Sequence, residues 1–168
     1  MNENEFWTLI EKSKKKSKND FEKQLELLVS DLTKLTEGEI FEFDRIFNKY
    51  HVNSYTSELW AAAYIINGGC SDDSFDYFRA WLISQGRSVY ENALKDPQSL
   101  VNINEEDVED FEFEDFLYVS GDAYKLKTGK DDFYDRVERQ EYPEINLNWS
   151  EDDGSLEKMY PKLIEKYC

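Results

Sequence analysis

Apolar residues recur at intervals of three and four along most of this chain, which is the spacing of an amphipathic α-helix. In residues 20–35 they fall at Phe21, Leu25, Leu28, Leu32 and Leu35. No segment alternates apolar and polar residues for long enough to predict a sheet, and the nearest candidate strand, VNIN at 101–104, is short. The spacing therefore predicts an all-α fold, a single compact domain over residues 1–168 with about seven or eight helices.

Residues 58–66 are the expected centre of this domain because they leave almost no polar face. The glycine pair at 68–69 ends this helix, since glycine readily adopts the left-handed conformation of a helix C-cap. Asp72 and Asp73 then occupy the first turn of a further helix, where carboxylates are favoured by the helix dipole. We expect this helix, residues 72–85, to pack against the central one.

The C-terminal part of the chain has weaker signals. Residues 131–150 contain Pro143 and little clear period, so they predict a surface loop with one helical turn at most. The segment GSLEKMYPKLIEKYC at the end of the chain predicts a last helix with a bend at Pro161.

The net charge of −17 is the strongest global signal in the composition. A field of this sign repels nucleic-acid backbones and anionic membranes, whereas it attracts and steers a basic protein partner. Many acidic proteins carry such a charge for solubility alone, and that alternative remains open. Aromatic residues make up 15% of the chain, which is too much for a disordered acidic chain.

Several classes of protein do not fit the sequence. No run approaches the roughly eighteen apolar residues of a membrane span. The acidic, amphipathic N-terminus does not resemble a signal peptide, so the expected location is the cytoplasm. Cys70 and Cys168 cannot build a disulfide framework, and a reducing compartment is the simplest expectation.

The chain also lacks the familiar catalytic and cofactor motifs. It contains neither a P-loop nor a glycine-rich dinucleotide fingerprint, and one histidine with two distant cysteines does not make a zinc site of the usual spacing. No cofactor and no metal are therefore expected. The single histidine, His51, lies at the C-terminal end of a predicted helix, where a cation is favourable. These observations favour a non-enzymatic role without deciding whether the protein is an enzyme.

An unusually acidic run, EEDVEDFEFED, occupies residues 105–115 and contains no basic residue. Its acids are Glu105, Glu106, Asp107, Glu109, Asp110, Glu112, Glu114 and Asp115. The spacing of an EF-hand loop is absent, so a solvated face or a partner-docking face is expected. Phe111 and Phe113 lie among these acids and indicate a contact surface, unless they are core residues of a helix with a different phase.

A second candidate site comprises Asp72, Asp73, Asp76 and Arg79. The three carboxylates lie within about one helical turn and could bind a hard cation. The favoured interpretation is that the first two form a helix N-terminus while Asp76 pairs with a basic residue. Arg79 lies among four aromatic residues, so its guanidinium must pair with a carboxylate, stack on a ring or contact a ligand. Glu58, on the preceding helix, is a further candidate partner. A buried structural ion pair is the first interpretation of Arg79, and a ligand contact is the second.

The run LWAAAYIINGGCSDDSFDYFRAWLISQGRSVYENALKDPQSL (59–100) resembles the core signature of the bacterial domain of unknown function family 4240. The resemblance extends to the opening FWTLIEKS, to KTGKD and to the closing YPKLIEKY. It implies an all-helical, bacterial, cytoplasmic protein, and it implies neither an activity nor a catalytic residue set. The hallmark positions, as they stand in this chain, are Trp60, Gly68, Gly69, Asp72, Asp73, Phe75, Phe78, Arg79, Trp81, Gly86 and Pro97.

Two classes of function are consistent with these features. The first is a non-enzymatic acidic binding module, of immunity or regulatory type, that recognises a basic partner. An inhibitor of a nucleic-acid-cleaving toxin would have this composition, because it mimics the charge of the substrate. The second is a small-ligand-binding protein or an enzyme that uses Asp72, Asp73 and Arg79, with Glu58 at the mouth of a pocket. The sequence does not predict an oligomeric state.

Overall fold

The computed structural model describes residues 1–108 and 110–168, and this part of the chain contains helices but no strand. The α-helices are α1 (Glu3–Ser17), α2 (Phe21–Thr33), α3 (Glu37–Asn53), α4 (Ser57–Asn67), α5 (Asp72–Ser84), α6 (Arg87–Lys95), α7 (Val119–Thr128), α8 (Phe133–Arg136), α9 (Ser155–Met159) and α10 (Pro161–Tyr167). Three 3-10 helices span Pro97–Asn102, Glu105–Asp107 and Glu114–Tyr118. The all-α prediction is confirmed. The number of helices in this part of the chain exceeds the seven or eight expected, because short helices such as α8 have too few turns to show a periodic pattern.

Local capping defines the ends of the long helices. The hydroxyl of Thr36 accepts a hydrogen bond from the Glu39 amide, and the Glu39 carboxylate accepts one from the Thr36 amide, which completes a capping box before α3. Ser71 caps α5 in a similar way, through a hydrogen bond from the Ser74 amide. Gly68 ends α4 with a φ of +65°, in the left-handed conformation that its sequence position predicts.

Helices α4 and α5 lie in the hydrophobic core. Most residues of α4 are buried, including Trp60 and the three consecutive alanines at 61–63. Helix α5 contributes Phe78 and Trp81, which are fully buried, and it packs against α1, α3, α4 and α6. The same core includes Phe6 from α1 and Leu163 from α10, so both ends of the chain take part in it.

The segment 138–150, named the strap below, connects α8 to the last two helices and contains no helix. Ile145 and Trp149 pack against the core from this strap. Asn148 and Ser57 exchange two hydrogen bonds, and the Trp149 indole donates to the Ser57 carbonyl at 2.9 Å. The strap is therefore tied to the start of α4. The structure agrees with the expected surface loop at 131–150, because most of this segment is exposed and α8 is its single helical turn.

The C-terminal helix is interrupted as expected. Helix α9 ends at Met159 and α10 begins at Pro161, so Tyr160 lies between two short helices. The segment 101–104 is the end of a 3-10 helix followed by a turn, and it is not a strand. No helix in the described ranges is long and apolar enough to cross a bilayer.

Candidate functional site

Arg79 is completely buried in the middle of α5, and each nitrogen of its guanidinium has a partner. Its Nε donates to the carbonyl of Phe75 at 3.2 Å, and its Nη1 donates to the carbonyl of His51 at 2.6 Å. Its Nη2 forms an ion pair with Asp76, whose side chain remains partly exposed. A buried charge is stable only when it is paired and hydrogen-bonded, and Arg79 meets both conditions.

Three aromatic rings complete the surroundings of Arg79. The centroids of Tyr55, Phe75 and Tyr142 lie 4.8 to 5.2 Å from the guanidinium carbon, a distance typical of cation–π contacts. Tyr55 and Tyr142 also line an open groove of about 810 Å³ between the α3–α4 turn and the strap. The two rings therefore separate this groove from the buried guanidinium.

His51 is buried beside Arg79 and is neutral. Its Nε2 lies 3.0 Å from the carbonyl oxygen of Asp76, which can only accept, so we assign the ring proton to Nε2. Its Nδ1 then accepts from the Tyr142 hydroxyl at 2.9 Å. Burial, together with the nearby charge of Arg79, lowers the pKa of His51 to about 3. The sequence position favoured a cation at this helix end. His51 is instead neutral, because the cost of desolvating a charged imidazole exceeds the effect of the helix dipole.

Tyr142 connects the strap to this buried cluster, which leads to a stability prediction. We expect Tyr142→Phe to lower the free energy of unfolding by about 1 kcal/mol, because it removes the hydroxyl that satisfies the His51 Nδ1. Tyr142→Ala also removes the ring over Arg79 and should cost about 2 kcal/mol. Urea unfolding of both variants measures these losses.

The matched control is Leu147→Ala, a strap residue whose side chain is about half exposed. It should change the free energy of unfolding by less than about 0.5 kcal/mol. Equal losses for Tyr142→Ala and Leu147→Ala would show that Tyr142 does not stabilise the buried cluster.

Asp72 and Asp73 are separate from this cluster. They lie in the exposed first turn of α5, directly after the Ser71 cap. Within the described residues, neither carboxylate forms a hydrogen bond or ion pair with Arg79, and no group of three or more histidine, cysteine or carboxylate side chains is arranged to hold a metal ion.

Glu58 also lies apart from Arg79. Its carboxylate accepts a hydrogen bond from the Asn148 amide at 3.4 Å, at the point where the strap meets α4. Asp76 is thus the carboxylate that the structure places on Arg79. Of the five residues predicted for this site, only Asp76 and Arg79 are in contact.

The acidic run is mostly exposed. Its exposed acids are Glu105, Glu106, Asp107, Asp110, Glu114 and Asp115, whereas Glu112 is half-buried. Glu109 lies outside the described residues. Phe111 packs edge-on against Trp81 with ring centroids 5.1 Å apart, and Phe113 is buried. The two phenylalanines are therefore core-packing residues that anchor the acidic run to the domain.

The acidic run lies beside the first two turns of α5. The amide of Phe113 donates to the carbonyl of Tyr77 on α5 at 3.0 Å. Burial raises the pKa of the Cys70 thiol to about 12, and the nearby charges of Glu112 and Asp72 contribute to the rise. The pKa of Tyr77 is raised by burial and by the charges of Glu114 and Asp73.

We name this group of carboxylates the acidic surface. It comprises Asp72, Asp73, Asp76, Asp110, Glu112, Glu114 and Asp115. The structure thus brings these residues of the two predicted candidate sites close together.

A groove of about 430 Å³ runs between α2 and the acidic surface. Its apolar floor contains Phe21 and Phe113, whose rings stack with centroids 4.3 Å apart, and Leu25 lies beside them. Its carboxylates are Glu22, Asp110, Glu112, Glu114 and Asp115. Among the described residues that line the groove, none is basic. The carboxylates around this apolar floor make the local charge of the groove negative, which favours a positive charge over a negative one.

Comparison with known proteins gives a match to a protein-family model. The family model described as "Protein of unknown function (DUF4240)" matches residues 1–126. The chain belongs to the DUF4240 family. The match confirms the resemblance over the 59–100 signature and the opening FWTLIEKS. It ends before KTGKD and YPKLIEKY, so those two segments are not part of the matched region.

No curated protein and no solved structure matches the chain. The family match covers α1 to α6 and most of α7, and therefore includes Arg79, His51 and the acidic surface. Tyr142 and the rest of the strap lie beyond it. The ring that closes the Arg79 cluster is thus supplied by a segment outside the DUF4240 match.

The roles of Tyr55 and Tyr142 around Arg79 were not predicted from the sequence. An arginine among aromatic residues in a buried helix indicates that the guanidinium has partners, but the pattern does not reveal which distant residues they are. The burial of the Asp44 carboxylate on α3 was not predicted either.

Proposed function

We propose that this DUF4240 protein is a non-enzymatic binding module of the bacterial cytoplasm, and that its acidic surface holds a basic protein partner. The observation that carries the proposal is the groove between α2 and the acidic surface. Its carboxylates surround the stacked Phe21–Phe113 pair, and no basic side chain lines it in the described part of the chain.

The groove suits a lysine or arginine side chain for two physical reasons. The aliphatic stem of either residue can cover the phenyl rings of Phe21 and Phe113 while the charged end stays in contact with solvent. The carboxylates of Glu112 and Glu114 can then accept charge-assisted hydrogen bonds from that end. The net charge of −17 adds long-range steering, which raises the association rate of a basic partner at low salt.

The specific form of this proposal is an immunity-type or regulatory protein. A partner that normally binds a nucleic acid carries a basic surface, and a surface rich in carboxylates competes for it by charge mimicry. The exposed hydroxyphenyl of Tyr118, directly after the acidic run, supports a protein contact, because tyrosine is enriched at protein interfaces.

The alternative site built on Asp72, Asp73 and Arg79 has less support. The Arg79 guanidinium has no exposed surface, and the two aspartates lie on a different part of α5 without contacting it. A small molecule would reach Arg79 only after displacing Tyr142 and Tyr55. The acidic surface needs no such rearrangement.

The proposal is tested by neutralising the groove. The variant Glu112→Gln, Glu114→Gln, Asp115→Asn removes three carboxylates from it. The control variant Glu144→Gln, Asp152→Asn, Glu157→Gln removes the same charge from exposed positions of the C-terminal segment. We first expect the unmodified protein to retain a basic partner from source-cell lysate at low salt and to release it at high salt.

Affinity measured by titration with that purified partner then separates the two variants. The groove variant should bind at least about tenfold more weakly and with a smaller salt dependence, whereas the control should stay within about twofold. Equal weakening would indicate a general effect of net charge and would contradict the groove. Retention of no basic partner would contradict the proposed function itself.

A further inference from the structure

Asp44 is a buried carboxylate in the middle of α3, outside the acidic surface. Only 6% of the residue is exposed. Its Oδ2 accepts a hydrogen bond from the Asn48 amide at 2.8 Å, and the Ser120 side chain on α7 lies nearby. In the residues that the structure covers, no lysine or arginine forms an ion pair with Asp44. Its charge is therefore hydrogen-bonded but not neutralised, which is costly in a buried position.

Two neighbouring clefts of about 200 and 270 Å³ meet at Asp44. Both are lined by Asn48 and by residues 137, 138 and 140, so the segment after α8 forms their shared wall. The smaller cleft adds the ring of Phe41, and the larger one adds the ring of Tyr134. Asp44 thus lies at the base of a space that combines aromatic surface with amide groups.

The arginines that line the smaller cleft already have partners. Arg45 forms a two-pronged contact with Glu42 at 3.1 Å. Arg136 stacks on Phe41, with its guanidinium carbon 4.7 Å from the ring centroid, and donates to the Tyr124 hydroxyl at 2.6 Å. These contacts hold both guanidinium groups away from Asp44.

The remaining charges at the rim are balanced. Glu138 and Arg139 are both exposed, and they contribute one negative and one positive charge. Arg136 also pairs with Glu37, with 3.7 Å between the charged atoms. Asp44 is therefore the buried carboxylate of these clefts, and no basic side chain of the described residues forms an ion pair with it.

We propose that the paired clefts bind a small organic cation, a primary ammonium group on a short aromatic or apolar body, with Asp44 as its counter-ion. The ammonium group would donate to the Asp44 carboxylate and to the side-chain oxygens of Asn48 and Gln140. The apolar body would lie against the ring of Phe41 or Tyr134. This site is independent of the acidic surface, so either proposal can fail without the other.

Other ligand classes fit these clefts less well. Hard metal cations prefer six or more oxygen ligands, and the described residues contain no group of three or more candidate ligands. An anion would have to approach the buried negative charge of Asp44, and the positive charge of Arg139 lies at the exposed rim rather than beside that carboxylate. The volumes of the two clefts suit a molecule of small size rather than a peptide.

The burial of Asp44 also perturbs its pKa. Burial raises the pKa of Asp44 to about 6, although the hydrogen bonds from Ser120 and Asn48 lower it. The pKa of Tyr134, on α8, is raised to about 12 by burial and by the Asp44 charge, so Tyr134 stays neutral near pH 7. A bound ammonium group would lower the pKa of Asp44, because an opposite charge favours the ionised carboxylate.

The test compares three probes of the same shape, namely benzylammonium, benzyl alcohol and phenylacetate. Binding to the full chain is followed by NMR of the Asn48 side-chain amide and the Asp44 carboxyl group. Asp44→Asn removes the proposed counter-ion with little change in volume. Asp122→Asn is the matched control, because it removes another carboxylate, on α7, that lines neither cleft.

We expect benzylammonium to perturb both resonances and to bind at least about tenfold more tightly than benzyl alcohol, with no binding of phenylacetate. Asp44→Asn should weaken benzylammonium binding by about tenfold or more, and the Asp122→Asn control should stay within about twofold. Lowering the pH from 7 to 5 should weaken binding by about tenfold in the unmodified protein, because protonation removes the Asp44 charge. The Asp122→Asn control should show the same pH dependence.

Three results would each overturn the proposal. The first is equal binding of benzylammonium and benzyl alcohol, which would exclude charge recognition. The second is unchanged binding in Asp44→Asn, which would place the ammonium group elsewhere. The third is the absence of any perturbation of the Asn48 amide at about 10 mM benzylammonium, which would exclude even a weak site.

Discussion

Arg79→Ala is expected to lower the free energy of unfolding by about 3–5 kcal/mol, the largest effect that we predict for a single substitution. The change removes the hydrogen bonds to the carbonyls of Phe75 and His51, and it leaves Asp76 without its ion-pair partner. It also leaves a cavity among the three rings that surround the guanidinium, because the neighbouring side chains relax only partly. Urea unfolding followed by tryptophan fluorescence measures the loss.

Two further variants make this result interpretable. Arg79→Lys keeps the charge, but a single ammonium cannot reproduce the planar arrangement of the guanidinium, so we expect a loss of about 2 kcal/mol or more. Arg87→Ala removes an arginine whose side chain is 42% exposed and pairs with Glu91, and it should cost about 1 kcal/mol at most. If Arg79→Ala cost no more than Arg87→Ala, the buried cluster would not be a source of stability.

Asp44→Asn is expected to raise the free energy of unfolding at pH 7 by about 1–3 kcal/mol. The folded-state pKa of Asp44, about 6, lies above the unfolded value of 3.8. Folding therefore favours the protonated carboxyl, and the ionised carboxylate destabilises the folded state above pH 6. Asparagine carries no charge, and its amide can donate to the Ser120 hydroxyl while its oxygen accepts from Asn48.

The pH dependence distinguishes this effect from a general change in packing. The advantage of Asp44→Asn should be complete above about pH 6, shrink as the pH falls, and vanish below the unfolded pKa of 3.8. Asp31→Asn is a control whose effect on stability should have the opposite sign, because hydrogen bonds from Lys12 and Lys34 lower the pKa of Asp31. Removing that surface carboxylate should destabilise the protein by less than about 1 kcal/mol at pH 7. A gain for Asp44→Asn that does not change with pH would contradict the titration of Asp44.

The helices were predictable because each depends on residues close together in sequence. The capping box of Thr36 and Glu39 and the left-handed Gly68 are formed within one turn. The apolar residues of α4 leave no polar face, so its burial also follows from the pattern alone. The bounds of the short helices α8 and α9 were harder to predict than their presence, since four or five residues are too few to show a period.

The candidate site was only partly predictable. Arg79 and Asp76 lie one turn apart on α5, so their ion pair could be anticipated from spacing. The same spacing could not exclude Glu58 as an ion-pair partner of Arg79, because the distance between these two residues depends on how α4 and α5 pack. The acidic run was visible in the sequence. Its position beside Asp72 and Asp73 follows from tertiary contacts such as the hydrogen bond from the Phe113 amide to the Tyr77 carbonyl.

The sequence by itself determined the helical class of this protein, the ends of its long helices, the burial of α4 and the presence of a strong negative field. All of these follow from side-chain chemistry within a few residues or from simple addition of charges. The tertiary structure alone decided that His51 is neutral, that Tyr142 closes the Arg79 cluster and that Asp44 is buried without a cation. These properties depend on desolvation and on partners far away in sequence, which only packing of the helices brings together.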